Sequence, residues 1–357
     1  MHKKKIGVVL VVLVVAFGLW QWLKPYPPKL TLTEQEHKVV DNLLVNLTPR
    51  CIGRYQIDLP ENLISPIGLV IINKQEIETK RTYLPAFEQR IRLREAELRK
   101  TQPISQEDAP FLKNIYPLPN GMKGIVFEHT SSQVSPDAFR IFEGYVYNNG
   151  VSFKTTMEAT NADSSRYDKK KQQLPEVYTN DMSKKLAELT DLLSRLQGRQ
   201  ENETPVGQGA CIPDGFVAGP AKGEEEISFN YQSKVNPRLY VGFSTNNYLQ
   251  EDTSILERSG EIELGLSKMG GKTLGKGRRD INNLAAEEWL MVGNGEDAAS
   301  GHHFELNVNE KQGSPKTPFL SIELNHGPLP DEALTANEVM AFWQTLTSTL
   351  RMRPGAI

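Results

Sequence analysis

"CIPDGFVAGP", residues 211 to 220, reads as a second beginning in the middle of the chain. A similar stretch, "CIGRYQIDLP", occupies residues 51 to 60. Each opens on Cys-Ile and closes on Pro nine residues later, and together they hold both cysteines of the 357-residue protein. Behind each start the elements run in the same order. After Cys51, "GLVIINKQEIETKR" (68–81) reads as strand. "LPAFEQRIRLREAELRK" (84–100) then places Leu84, Phe87, Ile91 and Leu98 on one helical face. "KGIVFEHT" (123–130) and "FRIFEGYVYNNGVSFKTTMEAT" (139–160) come next as strands, the second split by Asn149-Gly150, a two-residue hairpin turn. A stripe of Met182, Leu186, Leu189, Leu193 and Leu196 predicts a closing helix.

After Cys211 the order recurs. Residues 226–232 and 238–246 read as strands, and "TSILERSGEIELGLSK" as a helix with Ile255, Ile262 and Leu266 facing inward. Residues 286–294, 303–309 and 318–325 read as further strands. Thr335 and Glu338 then form a capping box for a helix burying Val339, Phe342, Trp343, Leu346 and Leu350. Strands clustered between helices predict an α+β protein: two tandem similar domains, each a mostly antiparallel sheet with helices packed on it. The expected units are residues 27–200 and 205–357, joined by the polar linker "QGRQENETPVGQG" (197–209). A helix over 34–46, capped by Thr33 and Glu36, precedes the first Cys-Ile start.

The N-terminus carries Lys3, Lys4 and Lys5 ahead of an apolar run, residues 6–23, in which Gln21 is the polar exception. Its 18 residues would rise ~27 Å as a helix, enough for a bilayer core. Trp20, Trp22 and Tyr26 gather at the far end, as aromatic belts do. The reading is an N-terminal transmembrane helix, residues 1–26, acting as an uncleaved signal anchor in the inner membrane. A cleaved signal peptide is the rival. The body is then exported to the periplasm, with "PYPPK" (25–29) as a stiff spacer. In that compartment Cys51 and Cys211 can pair; two buried free thiols are the alternative, and sequence alone leaves both open.

The two starts, separated by one domain length behind an export segment, resemble the immunity proteins that protect bacteria against type VI secretion lipase effectors. The similarity is to the two-domain family cognate to the fourth class of these phospholipases. "AAEEWLMVGN" (285–294) is also similar to a strand of that family's second domain. The resemblance implies a non-catalytic periplasmic inhibitor. Its partner would be a cognate secreted lipase, held in a tight stoichiometric complex with the two domains clamping the lipase's lid or cleft.

The residues exclude several other functions. Net charge is −3 with no basic patch interleaved with aromatics, so nucleic acid is not expected. No cofactor and no small-molecule substrate are expected either. "GLSKMGGKT" (265–273) misses the phosphate-loop spacing, and no G-x-S-x-G elbow occurs. His302 and His303 are strand neighbours pointing to opposite faces, a poor start for a metal site. "GKGRRD" (275–280) reads as a hairpin turn. From residue 205 onward the chain holds 13 Lys and Arg against 20 Asp and Glu. Glu224, Glu225 and Glu226, with Glu296 and Asp297 in the loop 293–303, are therefore the candidate contacts for a basic partner surface. An anchored envelope scaffold that binds cell-envelope partners is the competing function.

Overall fold

The computed structural model describes residues 26–294, 300–327 and 333–357. In the first half, α1 (Glu34–Leu43) leads into a hairpin of β1 (Thr48–Ile52) and β2 (Tyr55–Leu59). Then come β3 (Leu63–Ile67), β4 (Val70–Ile72), β5 (Gln75–Arg81) and α2 (Leu84–Lys100). A four-stranded meander comes next, β6 (Leu112–Pro117), β7 (Lys123–Thr130), β8 (Phe139–Asn148) and β9 (Val151–Thr160). The half closes with α3 (Asp168–Gln173), α4 (Met182–Arg195) and the short β10 (Leu196–Gly198). In the second half the Cys211 hairpin is β11 (Gly209–Ile212) and β12 (Gly215–Ala218). It leads to β13 (Glu225–Ser233), β14 (Leu239–Asn246), α5 (Ser259–Lys268), and the meander β15 (Lys272–Ile281), β16 (Leu284–Asn294), β17 (Ser300–Val308) and β18 (Phe319–His326). The half ends with α6 (Ala336–Ser348) and β19 (Arg351–Met352). Both halves thus run hairpin, further strands, helix, meander, helix, short strand.

The halves do not each own a sheet. One antiparallel 13-stranded sheet runs β15-β16-β17-β18-β14-β13-β4-β5-β9-β8-β7-β6, with β3 also pairing on β13. Read outward from its middle, β13-β14-β18-β17-β16-β15 mirrors β4-β5-β9-β8-β7-β6, so an approximate two-fold passes through the β4–β13 pair. This corrects the expectation of two separate sheets. Each half alone would leave β4 or β13 as an open edge, and pairing the two removes both edges. The halves also trade their last strands. β10 pairs with β12 of the second hairpin, and β19 pairs with β2 of the first.

Alternation along the strands splits the side chains between two faces. The inner face carries one core shared by both halves. Leu189, Leu192 and Leu193 of α4 enter it from one side, and Val339, Phe342, Trp343 and Leu346 of α6 from the other. On the outer face, α2 covers the first-half meander by placing Phe87 and Leu98 against Phe127 and Tyr145. α5 buries no residue, and the predicted helix over 253–268 forms only from Ser259. Ile255 is buried in a preceding turn, while Ile262 and Leu266 stay half-exposed.

Three further expectations change. Residues 197 and 198 of the supposed linker belong to β10, and Arg199 beside it is 3% exposed, so the crossing is part of the fold. "GKGRRD" lies within the edge strand β15; the turn is Asn282-Asn283, both at positive φ. The supposed spacer is bound at Tyr26. Its hydroxyl donates to Glu288 at 2.7 Å, and its ring lies where any side chain at Gly277 would clash. Glu288, fully buried, also accepts from Trp343 Nε1 and Arg279 Nη1, each at 2.9 Å. α1 likewise packs on α6, and Thr335 Oγ1 donates to Glu36 at 3.0 Å. The N-terminal segment of the described chain therefore belongs structurally to the second half. Among the described residues no helix is long and apolar enough to cross a membrane; the apolar run 6–23 lies outside them.

Candidate interaction surface

The two cysteine starts meet near the approximate two-fold. Cys51 and Cys211 are joined by a disulfide, with S–S 1.99 Å and Cα atoms 5.7 Å apart. Beside it, Gly53 and Cys211 exchange backbone hydrogen bonds of 3.0 and 2.7 Å. Three buried arginines hold this junction. Arg199, arriving with β10, donates to the carbonyls of Gly215, Ile212 and Cys51. Its counterpart Arg353, arriving with β19, donates to those of Pro205, Gly207 and Gly209. Arg54 forms a fork with Glu225, at 2.9 and 2.7 Å, and donates to Ala356 O. Burial lowers the pKa of Arg199 and of Arg353 below the ordinary guanidinium value. Carbonyl acceptors compensate that cost, since an unpaired buried charge would be far more expensive.

This geometry corrects one candidate contact. Glu225 is 4% exposed and its carboxylate is committed to Arg54, so it cannot meet a partner. Exposure alternates across the start of β13, and the neighbours differ. Glu224 is exposed, its carbonyl accepting from Asn73 N at 2.7 Å. Glu226 is half-buried and accepts from Tyr248 Oη at 2.6 Å. Glu296 and Asp297 lie outside the described residues.

The open surface is the outer face of the sheet between α2 and α5. At its centre the β3–β4 segment presents Ile67, 77% exposed, and Leu69, 41% exposed; Tyr240 and Tyr248 stand nearby at 43% and 45%. Leu69 and Ser228 are hydrogen-bonded in both directions, which fixes this patch on the seam between the halves. The sequence carries a signal for it. In "PIGLVII" apolar residues occupy both phases, with Val70 and Ile72 filling the core while Ile67 and Leu69 have nothing to fill. Sequence reasoning misses the patch because a continuous apolar run also fits a strand buried on both faces. Acidic groups border it. Glu305 stands opposite Glu323 across β17–β18, and burial, reinforced by Glu323, pushes its carboxyl above the usual range. Aromatic and aliphatic side chains ringed by polar groups are the composition of a protein-binding patch. Among the described residues no group of three or more His, Cys, Asp or Glu converges to hold a metal. His302 turns inward against His326 while His303 turns outward to Asn325.

Fold and surface together define a duplicated, interlocked binding protein with an open sheet face. The family model described as "Tle cognate immunity protein 4 N-terminal domain" matches residues 48–199, and "Tle cognate immunity protein 4 C-terminal domain" matches residues 203–355. The chain belongs to this family of Tle4 cognate immunity proteins, which are not enzymes. Among solved structures, the apo immunity protein TplEi of the type VI secretion system from Pseudomonas aeruginosa is similar, with a TM-score of 0.72 and 21% identity over 87% of this chain and 99% of that one. The Tle4–Tli4 complex contains another similar chain, at 0.68 and 20% identity over 87% and 98%. No curated protein matches the chain.

Proposed function

We propose that this protein is a periplasmic immunity protein that binds a Tle4-type phospholipase effector of the type VI secretion system and holds it inactive, protecting the producing cell and its kin from membrane damage. The observation that carries the reading is the match of both family domains, in order, over most of the chain. The similar chain solved in complex with Tle4 supports a protein partner. The seam patch of Ile67, Leu69, Tyr240 and Tyr248 is the part of the surface suited to it. Inhibition by binding needs differential affinity: a protein that grips the closed form of a lipase shifts its opening equilibrium by the ratio of its affinities for the two forms.

The compartment belongs to the same proposal. A buried disulfide closing a 160-residue separation suits an oxidising environment. The lysine-flanked apolar run 6–23 supports export and anchoring in the inner membrane. The test is co-expression with a cognate Tle4-type lipase targeted to the periplasm. Cells carrying the full chain survive and cells carrying a version without residues 1–25 die; equal killing with and without the full chain refutes the reading.

A further inference from the structure

The first described residue, Tyr26, is fixed in place. Its hydroxyl donates to buried Glu288, and its ring and that of Pro28 lie over Gly277 and Gly275 of β15. The apolar run proposed above as the membrane anchor ends at Leu23. Lys24 and Pro25 are all that separate it from Tyr26, a reach of about 10 Å at full extension. The headgroup layer on one side of a bilayer is itself ~5–7 Å thick. So short a tether holds β15 close to the headgroups.

β15 is the terminal strand of the large sheet, and no strand among the described residues covers its outer edge. α5 runs into it through the turn Met269–Gly271. At that corner Leu264 is 59% exposed and Met269 70%, and α5 buries no residue. Basic side chains surround these two apolar ones. Three are already paired: Lys276 with Glu263 at 2.8 Å, Arg278 with Glu287 at 2.9 Å and Arg279 with Glu288 at 2.9 Å. Lys29, Lys268 and Lys272 are exposed and have no ion pair among the described residues. The other exposed carboxylates of residues 259–281 stand away from the corner. Glu261 lies two turns of α5 before Lys268, and Asp280 lies eight residues along β15 from Lys272, accepting from Asn283 N at 3.2 Å.

We propose that the α5–β15 corner docks on the anionic phospholipid surface of the membrane that holds the anchor. Leu264 and Met269 enter the headgroup region, and Lys268, Lys272 and Lys29 meet the lipid phosphates. The proposal rests on the anchoring reading above and adds the orientation of the body. Apolar side chains flanked by lysines are the composition of an interfacial contact, and each lysine strengthens binding to an anionic surface by about fivefold. The tether supplies the proximity that so small a patch lacks alone. β13 and the seam patch then lie five strands from the docked edge, ~24 Å along the sheet, open to a partner working at the membrane surface.

Hydrogen exchange on the full chain held in lipid nanodiscs tests this, with residues 26–357 free in solution as the reference. In discs containing phosphatidylglycerol, exchange over residues 262–274 slows by about fivefold or more, while the exposed side of α2 around Leu93 is unchanged. Discs of phosphatidylcholine alone, or added salt, remove most of the slowing. Lys268→Glu/Lys272→Glu removes it too and leaves lipase inhibition in solution intact, because both positions are exposed and far from the seam patch. Equal exchange over 262–274 in the discs and in solution overturns the docking. So does protection of these residues by the lipase and not by the discs, which would make the corner a protein contact. A chain recovered from cells with its N-terminus beyond Leu23 overturns the anchor and the docking together. Inhibition of the lipase by residues 26–357 is read separately and stands or falls without either.

Discussion

His302 shows how a single side chain couples this fold to pH. It is 6% exposed, its ring lies 5.6 Å from that of His326, and its pKa is lowered to about 4 by burial and then by that neighbour. The unfolded chain takes up a proton at the ordinary imidazole value while the folded one refuses it. Stability therefore falls as pH drops from about 6.5 towards about 4. Urea unfolding at pH 7 and pH 4.5 should show a loss of about 2 kcal/mol in the wild type that His302→Gln reduces; an unchanged slope in the variant would exclude His302 as its source. At this scale the sequence is legible where partners are local. Both capping boxes form as expected, at Thr33–Glu36 and Thr335–Glu338. It misleads at Glu225, because the partner that buries it, Arg54, is 171 residues away and leaves no trace in the surrounding acidic run.

Among the elements, the two cysteine hairpins carry the strongest expectation. Their disulfide spans 160 residues, so in a chain-entropy account its removal frees a large loop in the unfolded state. Replacing both cysteines with alanine should lower the unfolding free energy by up to about 5 kcal/mol. The check is a shift of the urea midpoint that reductant reproduces in the wild type and not in the double variant; equal midpoints would show that the interlocked strands suffice. Helices with clear apolar stripes and hairpins with Asn-Gly turns are readable, since 3.6- and 2-residue periods are local properties. Short or charged strands are not. β10 has three residues and borrows its partner from the next hairpin. β15, an edge strand studded with Lys272, Lys276, Arg278 and Arg279, reads like a turn because edge strands are blunted with charge.

For the whole molecule, the duplication announces itself in the repeated Cys-Ile starts, while the continuity of the sheet does not. The β4–β13 pairing joins Ile72 to Glu225, and no local pattern encodes a contact across that distance. The exchange of β10 and β19, the packing of Tyr26 and α1 on the second half, and the single shared core make the two family domains one mechanical body. A rigid double module presents a preorganised surface, which lowers the ordering cost of gripping a partner. The seam patch sits on that body where the two halves join. The most direct test titrates purified residues 26–357 into a cognate Tle4-type lipase under a phospholipid hydrolysis assay. Activity should fall linearly and reach zero at one equivalent. Full activity in the presence of excess protein would contradict the account.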